Sequence, residues 1–165
     1  MSVPRRNPPR AARTQKVIAI LEKSAMIKPA TPITGPADLV RYSLYEYIGK
    51  RANETFLAVY INVRNVIVGF SEYTSGSARE VMVDPSGMFR DALLAGAAGI
   101  ITVHQHPSGD AQPSVDDGRL WRRLEEIGKI IGIPVIDNLV LGEDTYYSQG
   151  ENKETSYATI AVMRP

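Results

Sequence analysis

Apolar residues with strand periodicity predict the sheet of this chain. Two segments rich in β-branched and aromatic residues, 54–63 and 66–73, are separated only by Arg64 and Asn65. This arrangement predicts a β-hairpin, which we expect near the centre of the sheet. Apolar runs of strand length predict further strands at 99–106, 133–142 and 145–149. The last residues, 154–165, alternate enough to form either an edge strand or a docked tail.

Apolar residues at helical spacing predict three helices around these strands. The first covers about 35–49, and a proline in its first turn favours that start. The second, 85–98, has one apolar face made of Met88, Phe89, Ala92, Leu93 and Ala97. The third covers about 114–131. Ahead of them, residues 15–25 predict a short amphipathic helix, and the proline-broken segment 27–34 predicts a linker.

The alternation of strands and helices predicts one α/β domain at 33–150, with a mixed sheet and flanking helices. A basic tail, a short helix and a linker occupy 1–32, and 151–165 form a C-terminal extension. A length of 165 residues suits one hydrophobic core, and 44% hydrophobic with 22% charged residues is typical of a globular protein. No apolar run reaches the roughly 18 residues that a membrane span requires. No apolar segment that could serve as a secretory leader occurs before residue 17, so we expect a cytoplasmic location.

Positive charge is concentrated near the N-terminus. Residues 1–16 contain five basic side chains and no acidic one, whereas the whole chain has a net charge of +1, so the remainder carries −4. A basic segment with several prolines is usually a solvated arm, and less often it binds nucleic-acid phosphates. The sequence therefore admits nucleic acid as a partner of the tail and leaves the oligomeric state open.

The clearest chemical signal is a pair of histidines at the end of a predicted strand. His104 and His106 are the only histidines of the chain, which has no cysteine. Side chains at i and i+2 of a strand point to the same face, so the two imidazoles converge there. Pro107 and Gly109 end the strand, and the loop brings Asp117 back toward the histidines. Two imidazoles and one carboxylate suit tetrahedral zinc and leave its fourth position to water.

A second interpretation of these residues stays open at this point. Ser114, followed by Asp116 and Asp117, is also typical of a helix N-cap with an acidic first turn, which needs no catalytic explanation. A histidine pair at a strand end is often just polar edge chemistry. Asp110 and Asp116 are close enough in sequence to approach a metal, but loop and first-turn acids are usually solvated or stabilise the helix dipole.

The run from His104 to Gly109 (HQHPSG), followed by Pro113, Ser114 and Asp117, resembles the JAMM (MPN+/JAB) metalloprotease motif in its bacterial RadC-type form. The similarity extends over roughly the whole predicted domain. The resemblance implies the cytidine-deaminase-like JAB/MPN fold, which is an α/β fold with a mixed sheet and flanking helices.

The resemblance also implies a zinc hydrolase in which the two histidines and Asp117 hold one Zn²⁺ per chain. The family uses a glutamate at the start of an early strand as general acid/base, and the matching position is Glu54. By the same correspondence Ser114 would donate a hydrogen bond to the oxyanion. The implied activity is cleavage of an amide or isopeptide bond in a peptide or protein. The alternative is a non-hydrolytic, metal-containing RadC-like binding module that recruits DNA or an acidic protein through its tail. Gln105 stands where the family usually has asparagine, and we expect its side chain to point away from the metal.

Overall fold

The computed structural model describes residues 32–40, 45–49, 51–74 and 83–162. In these ranges the chain forms one six-stranded sheet with helices on both sides. In chain order the elements are α1 (Pro36–Leu39), α2 (Tyr45–Ile48), β1 (Thr55–Ile61), β2 (Ile67–Thr74), α3 (Pro85–Leu94), β3 (Gly99–Gln105), α4 (Val115–Ile131), β4 (Val135–Leu141), β5 (Thr145–Ser148), β6 (Lys153–Ser156) and α5 (Tyr157–Val162). No helix of these ranges is both long enough and apolar enough to cross a lipid bilayer.

The strands lie in the order β2-β1-β3-β4-β5-β6, and the sheet is mixed. Strands β3 and β4 are parallel, while every other neighbouring pair is antiparallel. A parallel pair requires a crossover, and α4 provides it by returning the chain from the end of β3 to the start of β4. The predicted α/β fold with a mixed sheet and flanking helices is confirmed.

Two apolar cores lie on the two sides of the sheet because strand side chains alternate between its faces. Phe56 of β1 and Ile100 of β3 belong to the core that includes α3 and α4. Leu57 of β1 and Val103 of β3 belong to the opposite core, which includes residues of α1, α2 and α5. In β1 and β3 the even-numbered residues therefore face α3 and α4, and the odd-numbered residues face away from them.

Two sequence predictions about packing are wrong. The hairpin of β1 and β2 does not lie at the sheet centre, because β2 is an edge strand. The apolar face predicted for the second helix includes Leu93, whose side chain is 59% exposed, whereas Met88, Phe89 and Ala92 of that face are buried. Helical periodicity identified the buried face of the helix but did not show which residues at its margin are left exposed.

The two ends of the domain differ in detail from the prediction. The first helix, predicted at 35–49, is described as α1 and α2, and residues 41–44 between them lie outside the described ranges. The segment 154–165, predicted as an edge strand or a docked tail, contributes the edge strand β6 and then turns into helix α5, which the sequence interpretation did not include. The basic tail and the helix predicted at 15–25 lie outside the described residues.

Candidate metal centre

Four side chains of types that can bind a metal ion meet at one end of the sheet. His104 and His106 come from the end of β3, Asp117 from the first turn of α4, and Glu54 immediately precedes β1. One ligand atom from each of the four lies within 4.8 Å of the others. His104 is buried, and the other three are half-buried. The fold thus brings together the predicted ligands and the candidate base from three separate elements.

The two imidazoles and the carboxylate face one another through their polar atoms. The Nε2 atoms of His104 and His106 are 3.1 Å apart. Asp117 Oδ1 lies 3.1 Å from Nε2 of His104, and Asp117 Oδ2 lies 3.5 Å from Nε2 of His106. Two nitrogen lone pairs at this separation repel each other, so either a proton or a cation must lie between them. The side chains therefore converge on a point that favours positive charge.

A hydrogen bond fixes the tautomer with which His106 can bind a metal. Its Nδ1 lies 2.8 Å from the backbone carbonyl oxygen of Asp110. A carbonyl only accepts, so Nδ1 must carry the proton and, in the neutral ring, Nε2 keeps its lone pair. A backbone or carboxylate acceptor on the second nitrogen is the usual partner of a metal-binding histidine. Asp110 thus serves the site through its backbone, and its carboxylate is not part of the four-residue group.

His104 is oriented by aromatic packing. Its ring stacks on Phe56, the residue paired with it across β1 and β3, at a centroid distance of 6.1 Å and an interplanar angle of 17°. On another side the ring meets the edge of buried Trp121, 6.4 Å away. Among the described residues its Nδ1 has no hydrogen-bond partner although the atom is buried. Packing against two large rings therefore takes the orienting role that a hydrogen bond plays for His106.

The charges of His106 and Asp117 support each other. The hydrogen bond to the Asp117 carboxylate raises the pKa of His106, and it outweighs the opposing effect of burial. Burial alone would raise the pKa of Asp117, but its contacts with His104 and His106 hold that pKa well below the usual range. Asp117 is therefore an anion at any pH at which the domain is expected to work. A carboxylate binds a metal in its ionised form, so Asp117 would not have to lose a proton before binding one.

Ser114 is the N-cap of α4, as the capping interpretation predicted. Its hydroxyl donates to Asp117 Oδ2 at 2.6 Å and accepts from the Asp117 backbone N–H at 3.1 Å. The backbone N–H of Ser114 donates to the same carboxylate oxygen at 2.6 Å, which completes a capping box. The cap and the metal centre thus share one residue, because Asp117 is both the acid of the box and a candidate ligand.

Asp116, the neighbouring acid, points elsewhere. Its carboxylate pairs with Arg119 at 2.6 Å, and 73% of its side chain is exposed. It is absent from the group of candidate ligands found among the described residues. Of the two adjacent acids, only Asp117 reaches the histidines.

Gln105 has a role that the sequence interpretation missed. Its side chain points away from the histidines, as expected for the residue between them, but it is buried and makes three hydrogen bonds to the segment 51–55. That segment carries Glu54. The available signal was a polar amide at a buried strand position, but its partners lie about fifty residues away and do not follow from local pattern.

Comparison with known protein families agrees with this geometry. Residues 33–155 match the RadC-like JAB domain. The chain belongs to the RadC-like JAB domain family. The match contains all six strands except the last residue of β6, and all four residues of the candidate centre. The family assignment therefore rests on the same part of the chain as the fold and the site.

Several curated relatives are UPF0758 proteins. One from Clostridioides difficile is 33% identical over 147 residues, which cover 86% of this chain and 61% of the relative. One from a Geobacillus species is 37% identical over 119 residues, or 72% of this chain and 52% of the relative. One from Methanosarcina mazei is 31% identical over 143 residues, or 83% and 62% of the two chains. This RadC-like JAB chain spans less than two thirds of the length of each of them.

Proposed function

We propose that this RadC-like JAB domain is a zinc-dependent hydrolase that cleaves an amide or isopeptide bond of a peptide or protein. The observation that carries the proposal is the convergence of Glu54, His104, His106 and Asp117, with one ligand atom from each within 4.8 Å. Three of these groups can hold an ion, and the remaining carboxylate can move protons. Water activation for hydrolysis needs this combination.

The spacing of the two imidazoles and Asp117 fits zinc. Tetrahedral zinc with bonds of about 2.0–2.1 Å to nitrogen and oxygen separates neighbouring ligand atoms by roughly 3.3 Å. The two Nε2 atoms are 3.1 Å apart, Asp117 Oδ1 is 3.1 Å from His104 Nε2, and the other carboxylate oxygen, Oδ2, is 3.5 Å from His106 Nε2. Two histidines and one carboxylate are also a common ligand set of catalytic zinc. We therefore assign Nε2 of His104, Nε2 of His106 and the Asp117 carboxylate as the groups that would hold the ion.

The proposed chemistry divides between the ion and Glu54. When bound, zinc supplies a Lewis acid that lowers the pKa of water and polarises the substrate carbonyl. Glu54 accepts the proton of the attacking water, so the nucleophile forms without a free hydroxide ion. The same carboxyl group then delivers that proton to the leaving nitrogen, which departs as a neutral amine. Phe56 and Trp121 cover the side of His104 that faces the core, and this low-polarity wall strengthens the electrostatic interactions inside the site.

The oxyanion role of Ser114 stays a prediction. A hydroxyl has one proton to donate, and that of Ser114 goes to Asp117. To donate to a developing oxyanion, the hydroxyl would have to rotate away from this carboxylate. To orient Asp117, the hydroxyl can stay where it is.

The test begins with metal content. Purified protein is expected to contain about one zinc per chain, measured by elemental analysis. Glu54→Gln should keep the zinc and the fold but lose at least about a hundredfold in hydrolysis, because glutamine can hydrogen-bond to water but cannot take its proton. Glu126→Gln, on the exposed side of α4, is the matched control and should cleave like wild type. Equal rates for Glu54→Gln and wild type would place the base elsewhere.

The alternative, a non-hydrolytic binding module, has its own signature. In that case the protein would hold zinc yet cleave nothing in a panel of peptide and isopeptide substrates. Binding of DNA or of an acidic protein would fall steeply with salt and would be lost on removal of residues 1–16.

A further inference from the structure

The Gln105 side chain continues the β1–β3 pairing where the backbone pairing stops. The last registered backbone pair of these strands is Phe56 with His104, so Thr55 lies opposite Gln105. There the Gln105 amide replaces the missing strand contacts. Its Oε1 accepts from the Thr55 backbone N–H at 3.1 Å, and its Nε2 donates to the carbonyl oxygens of Asn53 at 2.8 Å and Arg51 at 3.0 Å. The side chain is 1% exposed, so these bonds are shielded from water.

These hydrogen bonds bracket Glu54. The Asn53 carbonyl immediately precedes Glu54, and the Thr55 amide immediately follows it. Ala52 and Asn53 are exposed and belong to no regular element, so strand pairing does not restrain the chain there. One buried side chain thus fixes the backbone on both sides of the candidate base.

Gln105 acts from the opposite face of the sheet. In β3, His104 faces α3 and α4, whereas Gln105 faces the other way and makes no contact with the ligand atoms through its hydrogen bonds. The strand that carries the metal ligands on one face therefore holds the base-bearing turn with the side chain between them. The candidate ligands and the candidate base are thus joined through β3.

The start of the turn has a second anchor. Arg51 pairs with the carboxylate of Glu72, and its Nε donates to the backbone carbonyl of Tyr47 at 3.1 Å. This anchor holds Arg51 but does not touch the residues next to Glu54. Within the turn, the Thr55 hydroxyl donates to the Asn53 carbonyl at 3.3 Å, and Gln105 ties both of these neighbours to β3 through its own hydrogen bonds.

We propose that Gln105 is a positioning residue that sets the distance of the Glu54 carboxylate from the metal centre. The proposal rests on the proposed function for its consequence in catalysis. A general base must lie within hydrogen-bond reach of the proton that it takes, and a displacement of about 1 Å can lower the rate by about a hundredfold. Fixing the backbone on both sides of Glu54 supplies that precision.

The test uses Gln105→Met, which keeps the length of the side chain but removes its hydrogen bonds. The zinc-loaded variant should bind zinc within about threefold of wild type, because no ligand contact changes, while kcat falls at least about tenfold with an unchanged KM. Adding Glu54→Gln to this variant should then lower kcat by a much smaller factor than it does in wild type, since a misplaced base already contributes little to the rate. Gln149→Met is the matched control: the same chemical change removes hydrogen bonds to Asn138 and Glu125, away from the turn.

A second readout needs no hydrolysis. With Co²⁺ as the probe in place of zinc, paramagnetic shifts in NMR of ¹³C-labelled glutamate report the distance between Glu54 and the metal. In Gln105→Met these shifts should shrink or broaden, and amide exchange at Thr55 should rise. In Gln149→Met both should match wild type. This arm keeps its meaning even if wild type cleaves no substrate, an outcome that would refute the proposed function alone.

Unchanged Glu54 shifts in Gln105→Met would overturn the proposal, as would a kcat within threefold of wild type. A rate loss that only follows loss of zinc would also overturn it. If Gln105→Met does not fold, Gln105→Glu replaces it. That variant keeps an acceptor for the Thr55 amide but loses at least one of the bonds to the Asn53 and Arg51 carbonyls, because a carboxylate donates no hydrogen bond and a protonated carboxyl group only one, so changes in the same direction are expected.

Discussion

Replacement of Ser114 by alanine separates the two roles of this residue. The change removes two hydrogen bonds, from the hydroxyl to Asp117 Oδ2 and from the Asp117 backbone to the hydroxyl. It leaves the bond from the Ser114 backbone to the carboxylate in place. The N-cap of α4 is therefore weakened, and one of the groups that orient a candidate metal ligand is lost.

The expected size of the effect follows from these contacts. Loss of a serine N-cap costs about 1 kcal/mol, and the charge-assisted bond to Asp117 raises the total to about 1–2 kcal/mol because the site is partly open to water. For a domain of this size the melting temperature should fall by roughly 2–8 °C. Loss of a partner that orients a ligand should weaken zinc binding by about 10- to 100-fold.

Calorimetry of the metal-free protein and zinc titration against a chelator measure these effects. Ser108→Ala is the control, because its hydroxyl lies in an exposed part of the same loop region and accepts only a 3.4 Å contact from Asp110. Hydrolysis at saturating zinc then distinguishes the roles. If Ser114 only orients Asp117, kcat recovers, whereas a retained loss of about 100- to 1,000-fold indicates the oxyanion donor. An unchanged melting temperature and unchanged zinc affinity would refute the reasoning from the cap.

Three further predictions concern the metal centre. Asp117→Asn should abolish stoichiometric zinc binding, measured by elemental analysis, whereas Asp116→Asn should retain it because that carboxylate faces Arg119. Gly142→Ala should lower zinc affinity at least about tenfold, since a Cβ there would lie 2.5 Å from the Gly109 carbonyl oxygen and displace the loop that holds His106; a chelator titration checks this. The raised pKa of His106 means that zinc affinity, measured from about pH 5.5 to 8.5, should fall about tenfold per unit below that pKa. The metal-free protein should show the opposite trend, because stability from the charged His106 is lost as the pH rises through the same pKa. A flat affinity profile, zinc-replete Asp117→Asn or tight binding by Gly142→Ala would contradict the respective argument.

The sequence predicts the two candidate histidine ligands more directly than it predicts the candidate base, Glu54. His104 and His106 are two residues apart at a strand end, and strand periodicity alone places them on one face. Asp117 followed because the loop after β3 is short and leads straight into a helix. Glu54 had no such signal, because a glutamate at a strand start is ordinarily solvated, and only the resemblance to the JAMM motif selected it. Its proximity to the histidines depends on the pairing of β1 with β3, which the local sequence of neither strand predicts.

Other features escaped the sequence because they depend on distant packing. Strand order is one example: the hairpin of β1 and β2 was recognisable, but its place at the sheet edge depends on the pairing of β1 with β3, which leaves β2 outermost. Helix α5 is another. Its segment contains β-branched residues that favour a strand, yet it forms a helix that buries Ile160 in the core beside α1 and α2. Tertiary contacts here outweigh local propensity.

The register between β1 and β3 therefore determines the geometry of the whole centre. The pair Phe56–His104 places an aromatic ring against a candidate metal ligand on one face, and the adjacent pair Thr55–Gln105 fastens the turn that carries the candidate base on the other. A slip of one residue would exchange the two faces, remove the ring from His104 and carry Glu54 away from the ligands. The two apolar cores oppose such a slip, because it would move Leu57 and Phe56 each out of the core in which it packs and onto the opposite face of the sheet. Hydrophobic packing, which includes Phe56 directly against His104, thus sets the distances on which the proposed proton transfer by Glu54 depends.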